Sequence, residues 1–123
     1  MIMIDSSALV DSLCGARASE DRLIDLMAAG ESFLLSTITL YEWFRGPRRE
    51  EELFWREVLF PDDEAVAFGP IEAALAADIY RIVKSPRRRA VDIAIAATAI
   101  GRNVPLWTLN RRDFDDIPGL RLL

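Results

Sequence analysis

The stretch Val91 to Phe114, VDIAIAATAIGRNVPLWTLNRRDF, limits most narrowly what this chain can become. Asp92 stands at its start and Asp113 near its end. Between them lie an apolar, alanine-dense segment and a short β-like run, Pro105 to Leu109. The apolar residues demand burial, yet an acid at each end of a buried segment is costly unless something positive meets it. Whether the rest of the chain brings further acids to the same place decides what the segment is for.

The chain has 123 residues, which suits a single domain, residues 1–123, with one core. Hydrophobic content of 51% and charged content of 28% match an ordinary globular protein rather than a disordered one. No apolar run reaches the roughly 18 residues that span a bilayer. The opening MIMIDSS has no basic region before its apolar residues, so it reads as a first strand and not as a signal peptide. Cys14 is the only cysteine, which rules out an intrachain disulfide and fits a reducing cytoplasm.

Histidine is absent. That removes the usual general base at neutral pH, the Ser-His-Asp and Cys-His arrangements, and imidazole ligands. Carboxylates must carry any chemistry, with or without a hard cation. The net charge of −5 argues against a simple polybasic nucleic-acid binder. Every basic residue except Lys84 is arginine, however, in clusters at Arg45, Arg48 and Arg49, at Arg87, Arg88 and Arg89, and at Arg111 and Arg112. Arginine suits planar phosphate recognition, although charge alone favours solvated helix ends and carboxylate partners.

Strand and helix signals alternate along the chain. Met1 to Asp5 reads as a buried strand, followed by a helix from Ser6 to Leu13 that Gly15 can end. Ser19 caps a second helix, stopped at Gly30, and Ser32 to Ser36 is a second strand. A helix from Thr37 to Arg45 contains Glu42 and breaks at Gly46-Pro47. Another spans Arg49 to Phe60, then a turn at Pro61-Asp62-Asp63 leads to a brief third strand, Ala65 to Phe68. Ile71 to Val83 is helical, Ser85 to Arg89 is a loop or helix lead-in, and Ala90 to Ile100 is the alanine-rich helix. Leu106 to Leu109 is a fourth strand, Asn110 to Phe114 a turn or short helix, and Leu120 to Leu123 a fifth strand.

This alternation predicts an α/β fold of three layers, with a mostly parallel four- to five-stranded sheet and helices on both faces. Ligands of such sheets bind at the carboxyl ends of the strands. Asp5 and Asp113 fall on one edge if strands one and four are neighbours. Of the aromatic residues, Trp43, Phe44, Phe54 and Trp55 lie on successive helices and cannot easily all face inward.

Each acid has an ordinary explanation. Asp5 can cap the following helix. Glu42 stands three residues after Thr39, the spacing of a capping box, although Ser36 and Thr37 are better start signals. Asp92 suits the first turn of its helix, with Arg88 or Arg89 to neutralise it. Asp113 competes with Asp115 and Asp116. Together they are harder to explain, because two charges about 4 Å apart repel by roughly 4 kcal/mol at an effective dielectric near 20. Several such pairs rival the whole stability of a domain, about 5–15 kcal/mol. Protonation, arginine partners or a divalent cation would relieve them, and oxygen ligands without His or Cys point to magnesium or manganese.

In these motifs the chain resembles a PIN-domain ribonuclease, in particular the toxin subunit of VapBC-type toxin–antitoxin pairs. The likeness runs through MIMIDSSALVD, STITLYEW, RRRAVDIAIAATAI and LWTLNRRDFDDIPGLRLL. Asp5, Glu42, Asp92 and Asp113 fall on the family's four acidic positions, Thr108 on its hydroxyl position and Asn110 on its asparagine. Ser6 stands where threonine is common and keeps the hydroxyl.

The resemblance implies an endoribonuclease dependent on Mg²⁺ or Mn²⁺, with the metal held by Asp5, Asp92 and Asp113. Glu42 would complete the site or orient the water. It also implies an RNA substrate, a VapB-type antitoxin that blocks the site, and a toxin homodimer. Arg45, Arg87, Arg88, Arg89, Arg111 and Arg112 become candidates for guiding the RNA backbone. A haloacid-dehalogenase-like phosphatase would want a second Asp where Ser7 stands. A receiver domain would want an acid after the third strand, which runs into Gly69-Pro70. The alternative from another class is a non-catalytic module that binds RNA or antitoxin.

Overall fold

The computed structural model describes residues 1–123. Strand β1 (Ile2–Ile4) lies at the centre of a parallel sheet, with β2 (Phe33–Leu34) on one side and β3 (Leu106–Trp107) on the other. The register pairs Met3 with both Leu34 and Leu106, and Ile4 with Trp107. All three residues of β1 are buried, as a strand covered on both faces requires.

The sheet is narrower than the four to five strands expected from the sequence. Ala65 to Phe68 and Leu120 to Leu123 each contribute a single parallel bridge, Ser36 to Val66 and Leu106 to Leu122. Their neighbours explain the brevity. A 3₁₀ turn at Asp62–Glu64 precedes Val66, and the Phe68 N–H is taken by the Thr37 hydroxyl at 3.3 Å. β3 also stops early, because side chains intercept its next donors. The Leu109 N–H goes to Ser7 Oγ at 3.0 Å and the Asn110 N–H to Thr108 Oγ1 at 3.0 Å.

Six helices cover the sheet: α1 (Ser6–Leu13), α2 (Glu20–Ala28), α3 (Thr37–Arg45), α4 (Glu50–Leu59), α5 (Pro70–Tyr80) and α6 (Ala90–Gly101). Side chains alternate across a strand, and the two resulting cores follow that alternation. Met3 and Leu106 point to one core, with Ile79, Ile93, Ala96 and Phe114. Ile2, Ile4 and Trp107 point to the other, with Leu9, Leu23, Leu40 and Trp43. The layers are therefore α5 and α6, the sheet, and α1 to α4. Ala96, Ala97 and Ala99 are wholly buried, which is the close approach their small side chains allow.

Ser36 caps α3 by accepting the Thr39 N–H at 2.9 Å, so Glu42 sits in the second turn and not in a capping box. Trp43 is buried, whereas Phe44, Phe54 and Trp55 are exposed, the last two stacked with centroids 5.3 Å apart. No helix is long and apolar enough to cross a membrane.

Candidate active site

The end of β1 is tied to the end of β3 by the Asp5 N–H, which donates to the Trp107 carbonyl at 2.9 Å. Asp5 and Thr108 thus become neighbours across the sheet edge. Asp5 occupies the N-cap of α1 with extended backbone, yet its side chain makes no capping bond. Instead its Oδ2 accepts from Ser7 Oγ at 2.8 Å and from Thr108 Oγ1 at 2.8 Å. Oδ1 is buried and has no hydrogen-bond partner. A carboxylate oxygen buried in this way needs a positive or protonated neighbour.

The second turn of α3 brings Glu42 to the same edge. Ser6 Oγ donates to Glu42 Oε1 at 2.9 Å, and Arg45 lies 3.4 Å from Oε2. Burial first, and then the charge of Asp5, raise the proton affinity of Glu42 above that of an ordinary carboxylate; Ser6 and Arg45 act against this. Asp92, in the first turn of α6, is perturbed more. Burial, Asp5, Asp113 and Glu42, in that order, push it up to about 6, with Arg89 in opposition. The acids from β1, α3, α6 and the 3₁₀ turn Arg111–Asp113 therefore share one field. They do not close on a single point: no three of them stand in ready-made ligand geometry.

Arg89 departs from its expected place on an RNA-facing surface. It is buried, with Nη1 and Nη2 donating to Asp116 at 3.0 and 2.5 Å, and Nη2 also to the Asp113 carbonyl at 2.8 Å. Its hydrogen bond lowers the pKa of Asp116. This pairing separates the three neighbouring acids: Asp116 is held by Arg89, Asp115 is exposed, and Asp113 is the one whose charge reaches Asp92. Arg45, Arg87, Arg88, Arg111 and Arg112 are exposed.

Two residues were not singled out for the site. Ser7 joins Asp5, Thr108 and the Leu109 backbone. The signal was a second hydroxyl after Asp5, which capping explained equally well. Arg48 lines an open cavity of about 620 Å³ together with Ser6, Glu42, Arg45 and Asn110. Its place beyond the Gly46-Pro47 break hid that.

The parallel sheet with helices on both faces is the architecture that the alternation of strands and helices predicts. A family model, PIN domain, matches residues 2–120, and the chain belongs to this family. It is 33% identical over 126 residues to Ribonuclease VapC19 of Mycobacterium tuberculosis, covering 98% of each chain. It is 29% identical over 119 residues to Ribonuclease VapC1 of Methanocaldococcus jannaschii, covering 93% of this chain and 79% of that one. The fold matches that of VapBC2 from Rickettsia felis bound to a promoter DNA fragment, with a TM-score of 0.74 at 22% identity over 100% of this chain and 98% of that one.

Proposed function

We propose that this chain is a metal-dependent endoribonuclease of the VapC type, the toxin of a toxin–antitoxin pair, which hydrolyses RNA phosphodiester bonds and is inhibited by a VapB-type antitoxin. One observation carries the reading. Asp5, Glu42, Asp92 and Asp113 act on one another at a single sheet edge, and Asp5 Oδ1 is buried there without a partner. Relatives named ribonucleases support the activity, and a solved VapBC complex of the same fold supports the pairing. A non-catalytic binding module has no need of these mutually repelling acids.

The donor set, oxygen only, suits Mg²⁺ or Mn²⁺, and the orphaned Asp5 oxygen is what a cation would satisfy. Asp5, Asp92 and Asp113 would hold it. When bound, the cation supplies positive charge against the phosphate and makes water a better nucleophile at neutral pH. The protein's own groups do the rest. Ser7 and Thr108 fix Asp5 through Oδ2 and leave Oδ1 free. Ser6 fixes Glu42. Glu42, with its raised proton affinity, takes a proton from the attacking water as that oxygen bonds to phosphorus. The bond from phosphorus to the leaving ribose oxygen breaks, and that oxygen takes its proton from solvent.

The exposed arginines would guide the RNA backbone, which the acids repel. The exposed Phe44 on α3 and the exposed, stacked Phe54 and Trp55 on α4 offer apolar side chains suited to the antitoxin or to the second copy of a homodimer. The lone cysteine fits a cytoplasmic setting. The test is cleavage of cellular RNA by the purified chain with and without Mg²⁺. Asp5→Asn and Asp92→Asn should each lower the rate on the order of a hundredfold or more while melting stays cooperative. Parental cleavage by Asp92→Asn would remove the mechanism.

A further inference from the structure

The cavity of about 620 Å³ beside Glu42 and Ser6 is lined by a second acid, Asp11, whose carboxylate accepts from Ser19, and by two arginines whose circumstances differ. Arg45 is paired with Glu42 at 3.4 Å. Arg48 is held wholly by neutral groups. Its Nε donates to the Trp43 carbonyl and its Nη1 to the Pro47 carbonyl, both at 3.1 Å. Its guanidinium carbon lies 4.4 Å from the centroid of the buried Trp43 ring. Gly46 permits this: a Cβ there would stand 2.7 Å from Arg48 Nη2. No carboxylate comes within ion-pairing distance of Arg48.

A guanidinium fixed in orientation and left without a counter-charge is preorganised for an anion, and its planar fork matches a phosphate. Capping the end of α3 accounts for the bond to the Trp43 carbonyl, and the bond to Pro47 is local to the following turn; neither meets the charge. The cavity lies within the size range that holds a small ligand. It continues into the acid cluster through Glu42 and Ser6 and carries Asn110 on its wall, a side chain able to hydrogen-bond a splayed base. A strand approaching the acids needs a cation beside them, since every acid repels its phosphates.

We propose that this cavity is the subsite for the RNA phosphate adjoining the scissile one, bound by Arg48 with Arg45 as the second cation. The inference rests on the ribonuclease reading above, but its test reads binding rather than turnover. Fluorescence anisotropy of a fluorescein-labelled single-stranded RNA of mixed sequence is followed across a salt series, with Asp92→Asn as the parent so that the probe stays intact. Adding Arg48→Ala should weaken binding about three- to tenfold and reduce the slope of log affinity against log salt by about 0.7, one phosphate contact. Arg48→Lys should keep the slope and lose part of the affinity, because charge remains and the fork is gone. Arg121→Ala, beside Asn103 at the opposite end of the sheet, should change neither.

The subsite is overturned if the parent does not bind the RNA, or if Arg48→Ala keeps the parental affinity and slope. It is overturned equally if Arg48→Lys shows the alanine slope, which would assign Arg48 to capping α3 alone, or if Arg121→Ala falls as far as Arg48→Ala. RNA bound through Arg48 by a protein that never cleaves it with Mg²⁺ would support the subsite and overturn the nuclease reading instead.

Discussion

At Asp92 half-burial and three neighbouring carboxylates act in the same direction, raising its pKa from 3.8 to about 6 against the opposing charge of Arg89. A carboxylate raised in this way binds its proton more tightly in the folded state than in the unfolded chain. Its contribution to stability is therefore fully present below its unfolded value of 3.8 and is lost as pH rises through about 6. Above that, the ionised folded form carries the cost. With a chelator present, Asp92→Asn should be more stable than the parent near pH 7, on the order of 1–2 kcal/mol once solvent screening of a half-exposed group is discounted. The gain should disappear below about pH 4. Urea melts at both pH values measure it; a gain independent of pH would mean that repulsion is not the cause. The identity of these acids was legible in the chain. Which oxygen of Asp5 is satisfied was not, because Thr108 lies 103 positions away.

Among the elements, the 3₁₀ lead-in Arg87–Arg89 and the turn Arg111–Asp113 are joined by one side chain. Arg89 crosses from the start of α6 to Asp116 and to the Asp113 carbonyl, which sets the turn that carries Asp113 beside Asp92. Removing one partner of a buried pair is costly. Arg89→Met should destabilise by about 2–4 kcal/mol, below the usual cost because Asp116 is 40% exposed. Denaturant titration reads this, and a change below 1 kcal/mol would show that the clamp is dispensable, on the order of a surface pair. Three successive arginines look alike in a sequence. Only the phase of a short 3₁₀ turn selects Arg89 for the interior and leaves Arg87 and Arg88 outside. The helices were more readable: α3 runs from Thr37 to Arg45 as expected, because Ser36 and Gly46-Pro47 mark its ends locally.

For the molecule as a whole, the repulsion gathered at one sheet edge would couple binding of the proposed cation to folding. A cation held by the acids stabilises the folded state by mass action. Mg²⁺ at about ten times its Kd should stabilise the parent by roughly 1.4 kcal/mol, a rise of a few degrees in Tm. The double variant Asp5→Asn/Asp92→Asn should start from a higher Tm without metal and gain little from it. An equal rise in both, by scanning calorimetry, would place the cation elsewhere.

The chain read alone yields the alternation of strands and helices, the parallel sheet, the lack of any imidazole, and the order of the acids. These follow from composition, short-range caps and hydrophobic periodicity. It overstates the width of the sheet, because strand propensity does not reveal that the Thr37, Ser7 and Thr108 hydroxyls take the N–H groups a longer ladder would use. The inward turn of Arg89, the linking role of Ser7 and the unpaired charge of Arg48 likewise came from the folded molecule. Each depends on side chains brought together by packing, and neither local pattern nor spacing along the chain encodes it.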